Sequence, residues 1–304
     1  MVTKIVFVGK PEMGKTTIKK VVFEGVDPNK LALFPLEATV GLSRSVYEFM
    51  DSKISLLDTP GQSLPVLLKD EERQINYFEN ASVITYIFDF PSWIENSQSV
   101  IDDIVSIYNI KKKLKINAKI ILFFHKVDLL IDKKIGTRLD IIKRHVNKQL
   151  NLPEELPLYF TSLHPNLIYT IYNALSDIFS NFSEDSSNLK QIITKLIKGL
   201  SKTICFVSNQ EDYLIIQVPT KDFDTSTLYH LYERIALSTK LSEETVSKSK
   251  YVTAGSKILV MEFENIENYH KNFKNIFVFS ETLETEGLVK LLNDIKEELN
   301  QYYN

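Results

Sequence analysis

The chain carries a single cysteine, Cys205, in 304 residues, and that scarcity excludes an internal disulfide framework. Within the apolar run Thr203-Ile204-Cys205-Phe206-Val207 the thiol reads as core packing, and the low cysteine usage fits a reducing compartment. No apolar run reaches the roughly 18 residues that a membrane helix needs. The opening Met1-Val2-Thr3-Lys4 leads into a strand pattern rather than a signal peptide. Position 2 is not glycine, and no cysteine lies near Gln301-Tyr302-Tyr303-Asn304, so lipid anchoring is not expected. The expectation is a cytoplasmic protein with no direct membrane insertion, recruited to a membrane surface only through a partner. An excess of either charge is missing too: a net charge of −3 and a pI near 6.0 give no global attraction for nucleic acid. His145, His230 and His270 are scattered without ligand spacing, so no zinc-type centre is encoded.

What is present is a globular composition, 44% hydrophobic and 25% charged, long enough for two ordinary domains. Residues 4 to about 180 alternate short β-rich runs with helical patterns, which predicts an α/β fold with a mostly parallel sheet covered by helices on both faces. Strands are expected at 4–9, 45–50, 53–58, 82–89, 118–124 and 157–161. Only Asp51-Ser52 separates the second from the third, so these two form an antiparallel hairpin at the sheet edge. Helices are expected at 15–24, near 66–79, at 95–114, 135–150 and 166–180. The polar run Ser180–Asn188 reads as a linker. A second unit of about 115 residues follows in the order α-β-β-α-β-β-α, with helices at 189–200, near 225–246 and around 288–299. Its strands are expected at 203–208, 212–218, 257–263 and 274–280. The boundary is placed between 182 and 183, giving domains 1–182 and 183–304. The second carries no catalytic constellation.

Chemistry concentrates in the first domain. The stretch Gly9-Lys10-Pro11-Glu12-Met13-Gly14-Lys15-Thr16-Thr17 closes an apolar strand and opens a helix, the pattern of a phosphate-binding loop of the G-x-x-x-x-G-K-T kind. Its backbone N–H groups curl around anionic oxygens, Lys15 reaches the β/γ-phosphates and Thr16 ligates Mg²⁺. Strand 53–58 ends in Asp58-Thr59-Pro60-Gly61-Gln62. There Asp58 can hold a water on Mg²⁺, the Gly61 N–H can sense a γ-phosphate and Gln62 can orient an attacking water. Thr39, in Glu37-Ala38-Thr39-Val40-Gly41, is the candidate to close onto the metal and γ-phosphate. After strand 118–124 comes His125-Lys126-Val127-Asp128, and after strand 157–161 come Thr161-Ser162-Leu163. A carboxylate at Asp128 can accept two hydrogen bonds from a guanine edge, which adenine cannot supply. Lys126 can lie over the base plane, and the Ser162 region can offer an N–H to the guanine carbonyl.

These five stretches, in this order, resemble the five G-box motifs of the Ras-like small GTPases, over roughly residues 1–180. Within that superfamily the chain most resembles the Rag/Gtr GTPases. The features that carry this are Ala38-Thr39-Val40, His125 where most small GTPases carry Asn, and a second domain with the element order of roadblock or longin-like modules. The resemblance implies a guanine-nucleotide switch that binds GTP/GDP with Mg²⁺ and hydrolyses GTP. It also implies a homo- or heterodimer formed through the C-terminal domain, docking on roadblock-type scaffolds, and an exchange factor and an activating protein. Signalling associated with nutrients or membranes follows from the same resemblance.

The sequence departs from the usual pattern in places. Pro11 removes one backbone N–H from the loop. Ser63-Leu64-Pro65 lacks an acid directly after Gln62, and His125 replaces an amide only in part. The first arginine, Arg44, stands beyond Thr39, so no built-in arginine finger is expected and unaided turnover should be slow. A constitutive scaffold subunit holding one nucleotide, and an ATP-dependent enzyme, are the alternative readings. Lys111-Lys112-Lys113-Leu114-Lys115 is either a basic patch or a solvated helix end, Trp93 either a partner anchor or a helix staple, and His164 is read as exposed.

Overall fold

The computed structural model describes residues 2–28, 31, 43–49, 52–131, 136–164, 167–210, 214–224, 227, 230–232, 234–235, 251–254 and 256–303. Thr39 and its neighbours 32–42 lie outside the described residues, as does most of the helix expected at 225–246. The chain divides into two compact units, Met1–Ile171 and Tyr172–Asn304.

The first unit is built on a six-stranded sheet in the order β2-β3-β1-β4-β5-β6. Its strands are β1 (Val2–Val8), β2 (Ser43–Phe49), β3 (Ser52–Asp58), β4 (Val83–Asp89), β5 (Lys119–His125) and β6 (Leu158–Phe160). All neighbours are parallel except β2 and β3, which pair antiparallel with Ser43 opposite Asp58, so the expected edge hairpin is present. The central strand β4 is buried at all seven positions, as its run of Val, Ile, Tyr and Phe requires for a strand covered on both faces. Its neighbours β1 and β5 add Val6, Val8, Leu122 and Phe124 to one continuous core with Trp93, Ile104 and Ile107. Parallel pairing brings the C-terminal ends of β1, β3, β4 and β5 to one edge, where open α/β sheets form their binding crevice.

The helices depart from the sequence reading where capping chemistry intervenes. Helix α1 (Lys15–Ile18) passes at once into a π-helical turn, Lys19–Phe23. The helix expected near 66–79 is broken into a 3₁₀ turn at Gly61–Ser63, α2 (Leu64–Leu67) and α3 (Glu71–Phe78). Asp70 restarts it, its carboxylate accepting from the Arg73 N–H at 3.2 Å. Helix α4 (Phe90–Lys113) begins five residues earlier than expected, because Asp89 caps it and Pro91 lies in its first turn. It is interrupted at Asn96 (φ −155°, ψ 74°), whose side chain accepts from the Ser99 N–H at 3.0 Å and so caps the second segment. Short α5 (Asp128–Ile131), α6 (Gly136–Leu150) and α7 (Tyr169–Ser180) complete the series, and the division between the units falls within α7.

The expected linker at 180–188 is largely helix. Ser183 accepts from the Ser186 N–H and Glu184 and Asp185 occupy the first turn, so α8 (Glu184–Ile197) starts inside the polar run. The second unit carries an antiparallel five-stranded sheet in the order β8-β7-β11-β10-β9. The strands are β7 (Thr203–Ser208), β8 (Leu214–Pro219), β9 (Tyr251–Ala254), β10 (Lys257–Asn265) and β11 (Asn275–Ser280), followed by α9 (Thr285–Tyr303). Strand β9 is an addition to the expected α-β-β-α-β-β-α order; at four residues with alternating burial it is too short to stand out beside the polar segment before it. Leu259 and Met261 of β10 cluster with Leu231 and Ile235, whereas Glu264 of the same strand pairs with Lys296 of α9 at 3.5 Å. The sheet is thus covered on both faces. Cys205 is fully buried within it and burial pushes its thiol up to about 12, in keeping with a core role.

Candidate functional site

The phosphate loop joins β1 to α1, and its shape depends on two glycines. Gly14 has φ 85°, in the left-handed region, and an added Cβ would meet the His125 ring at 2.8 Å. Gly61, from the turn after β3, packs so tightly on the loop that a Cβ there would lie 2.3 Å from the Pro11 nitrogen and 2.6 Å from the Lys10 carbonyl carbon. Lys15 is buried at 5% exposure and arches over the loop, donating to the Gly9 carbonyl at 2.8 Å and the Lys10 carbonyl at 2.7 Å. Burial lowers its ammonium to about 8, against the pull of Asp58, so it remains largely protonated at neutral pH.

The register of β1 with β3 sets Asp58 beside Phe7, at the mouth of the loop. Thr59 fixes this end, its hydroxyl donating to the Phe7 carbonyl at 2.8 Å. Asp58 Oδ2 accepts from the Thr16 hydroxyl at 2.6 Å, while Oδ1 is buried with no hydrogen-bond partner. Burial raises the carboxyl above its usual range, opposed by the Thr16 bond and by Lys15 and Lys19. A buried carboxylate oxygen with an open lone pair beside a threonine hydroxyl suits a hard divalent cation, bound directly or through water. The residues therefore fit Mg²⁺, with Thr16 and Asp58 to hold it; its chemistry there would be to neutralise charge on phosphate oxygens. Among the described residues no group of three or more His, Cys, Asp or Glu side chains forms a metal cluster.

The base-recognition stretch follows β5. His125 is fully buried, its Nδ1 lying 3.0 Å from the Thr161 hydroxyl and its other edge against Gly14. Burial first, then the neighbouring Lys126, pushes its pKa down to about 4, so the ring is neutral at pH 7. Lys126 sits at φ 58° and sends its ammonium to the Glu12 carbonyl at 2.9 Å and to Asp89 at 2.7 Å. Asp128 accepts from the Ser162 hydroxyl at 2.5 Å, and that same hydroxyl oxygen receives the His164 N–H at 2.9 Å. The Ser162 N–H itself is taken by the Thr170 hydroxyl at 2.9 Å.

The structure thus gathers Gly9–Thr16, Asp58, Gly61, His125, Lys126, Asp128, Thr161 and Ser162 around one edge of the sheet, and Gln62 stands exposed on the turn against the loop. Lys10 is directed elsewhere: its ammonium donates to Ser99 at 2.5 Å and lies 3.6 Å from Asp103, both on α4. Met13 is buried, with the Ser92 hydroxyl 3.5 Å from its sulfur. Arg44 is occupied on the hairpin by the Ser55 hydroxyl at 2.9 Å. Trp93 is core, edge-on to His145 and beside Phe88. In the lysine run, Lys113 pairs with Glu71 at 2.6 Å, Lys111 with Glu154 at 3.9 Å, and Lys112 covers the Tyr108 ring, which favours the solvated helix end. Asp89 was missed by the sequence reading; the signal was an acid ending an apolar strand two residues before a proline, the same pattern that singled out Asp58.

A G-x-x-x-x-G-K-T loop between the first strand and helix of a mostly parallel sheet, with Thr16 against a strand-end Asp58, defines a P-loop nucleotide-binding protein. The model of the Gtr1/RagA G protein conserved region matches residues 4–238. The chain is 25% identical over 260 residues to Ras-related GTP-binding protein A of Dictyostelium discoideum, covering 82% of this chain and 80% of that protein. It is 27% identical over 308 residues to GTP-binding protein gtr2 of Schizosaccharomyces pombe, covering 98% and 87%. The chain belongs to the Gtr1/RagA family of G proteins, GTPases of the Rag/Gtr type.

Proposed function

We propose that this chain is a regulatory switch that cycles between GDP and GTP with Mg²⁺, the γ-phosphate ordering Thr39 and the Gly61-Gln62 turn. The observation that carries the reading is the packing of Gly61 directly on Lys10 and Pro11, which ties the turn bearing Gln62 to the phosphate loop. In this reading Lys15 and Thr16 hold phosphate and metal, Asp58 holds a metal-bound water, and Asp128 and Lys126 select guanine. Gln62 orients the attacking water. With Arg44 engaged on the hairpin, unaided hydrolysis is slow, on the order of 10⁻⁴ s⁻¹, and an arginine supplied by an activating partner would raise it by up to about 10⁵-fold.

The first domain, 1–182, is read as the Ras-like G domain and 183–304 as a roadblock or longin-like module through which the protein dimerises. Support comes from β9, an edge strand with Tyr251 at 68% exposure, and from Ile258 at 66% on its neighbour β10, a surface suited to strand addition by a partner. Scaffold, exchange factor and activating protein belong to the same proposal. Recruitment to a membrane would go through a partner: no helix among the described residues is long and apolar enough to cross one. The test is nucleotide exchange and single-turnover GTP hydrolysis by wild type and Gln62→Leu. Hydrolysis should fall in the variant with GTP affinity retained; equal rates would remove Gln62 from this role. A wild-type protein that neither exchanges nor hydrolyses bound GTP would favour a constitutive scaffold subunit.

A further inference from the structure

Asp89 ends the central strand β4, where the register pairs it with His125, the residue before Lys126. Its side chain is 3% exposed, and both carboxylate oxygens accept hydrogen bonds. One oxygen receives the Lys126 ammonium at 2.7 Å; the other receives the Ser92 N–H at 3.0 Å and the Ser92 hydroxyl at 2.6 Å. Burial alone would raise this carboxyl, but the Lys126 and Ser92 bonds outweigh it and hold the acid below its usual range. The same ammonium donates to the carbonyl of Glu12, which stands at φ 66° in the phosphate loop. Three segments far apart in sequence are therefore linked through one ion pair: the first turn of α4 on the Asp89 carboxylate, the phosphate loop on the Lys126 ammonium, and the base-recognition loop that carries Lys126.

The break in α4 at Asn96 separates this first turn from the rest of the helix. Beyond the break, Ser99 and Asp103 hold Lys10, and Asp103 is itself fixed by the Tyr86 hydroxyl at 2.8 Å. The phosphate loop is thus tied to α4 directly at Ser99 and Asp103, and through Lys126 to Asp89, the residue that caps the helix. At Asp89 a long, flexible lysine side chain is held by a charge-assisted bond to a buried carboxylate.

We propose that Asp89 is a positioning residue for nucleotide retention: it holds the Lys126 ammonium on the Glu12 carbonyl, so that the loop gripping the base and the loop gripping the phosphates move as one body. The inference rests on the guanine-nucleotide reading of this site. Asp89 touches no nucleotide in this scheme and acts only through Lys126. Without the carboxylate the lysine would sample other rotamers, the Glu12 carbonyl would lose its donor, and bound nucleotide would leave faster.

The test is the release of a fluorescent N-methylanthraniloyl-GDP from the full chain in wild type, Asp89→Asn, Asp89→Ser, Lys126→Met and the double variant Asp89→Asn/Lys126→Met. Serine keeps the helix cap but cannot reach Lys126, so unfolding followed by Trp93 fluorescence should change little in Asp89→Ser. Both Asp89 variants should release the nucleotide about tenfold faster, the scale of one lost charge-assisted hydrogen bond. The double variant should match Lys126→Met within about twofold, because an effect exerted through Lys126 vanishes once its ammonium is gone. Wild-type release rates in the Asp89 variants, or multiplying effects in the double variant, would overturn the proposal. So would failure of both Asp89 variants to fold, which would make the residue structural. A wild-type chain that binds no guanine nucleotide would overturn the underlying reading together with this inference.

Discussion

Acid should weaken the first unit through one buried ring. His125 is pushed down to about 4 by burial and then by Lys126, opposed by Asp128 and Asp89, whereas an unfolded chain returns it to about 6.5. Between these values the unfolded chain binds a proton that the folded one refuses, so falling pH favours unfolding. The contribution of the neutral ring is intact above about pH 6.5 and is lost progressively toward pH 4, reaching roughly 2 kcal/mol at pH 5. Replacing the ring by an amide that does not titrate, His125→Asn, removes this dependence. The single tryptophan, Trp93, is buried in the first unit, so its fluorescence in urea follows that unit alone. Unfolding free energies at pH 8 and pH 5 should differ by about 2 kcal/mol more in wild type than in His125→Asn. Carboxylates shared by both proteins cancel in that comparison. Parallel pH profiles would refute the reasoning, as would an NMR titration of the His125 ring in the folded protein with a midpoint near 6.5.

Three further outcomes are expected. Gly61→Ala places a methyl 2.3 Å from the Pro11 nitrogen, against backbone that cannot step aside, so the turn must lift off the loop at a cost of about 1–3 kcal/mol; the ratio of GTP to GDP affinity should fall roughly tenfold, and an unchanged ratio would deny Gly61 a γ-phosphate role. Asp128→Ala removes the acceptor for two guanine hydrogen bonds and should lower GTP affinity roughly 100-fold or more while leaving weak ATP binding unchanged; equal GTP and ATP affinity in the wild type would end the guanine assignment. Light scattering of the full chain, alone and with a related partner chain, should show a dimer that a charged substitution at Tyr251 weakens; a monomer at high concentration in every mixture would remove the dimerisation proposal.

Much of the site is legible in the sequence because the residues of each stretch are covalently close. Gly9–Thr16, Asp58–Gln62 and His125–Asp128 each sit where an apolar strand ends, and the residue types within each stretch have few other uses at that spacing. The two-residue connection, 50–51, leaves β2 and β3 no option but an antiparallel pair. Helix ends are harder to read, since Asp70, Asp89, Asn96 and Ser183 act as caps only once the backbone N–H groups they accept from are in place. The polar run at 180–188 resembles a linker for that reason: Ser183, Glu184 and Asp185 suit a helix start as well as a loop.

The strands of the first unit, the phosphate loop and the chemistry available at the strand tips can be read along the chain, because hydrophobic period and loop length act over a few residues. What those tips do to one another depends on how the strands pair and pack. Parallel pairing of β4 and β5 set Asp89 beside His125 and so within reach of Lys126; it also carried Lys126 to Glu12, 114 residues away. Lys10, adjacent to the first loop glycine, turned to Ser99 and Asp103 instead of toward the phosphates. His125 became the wall behind Gly14, and Gly61 the turn that rests on Pro11. Such contacts depend on strand order and close packing, which no local pattern of residues encodes.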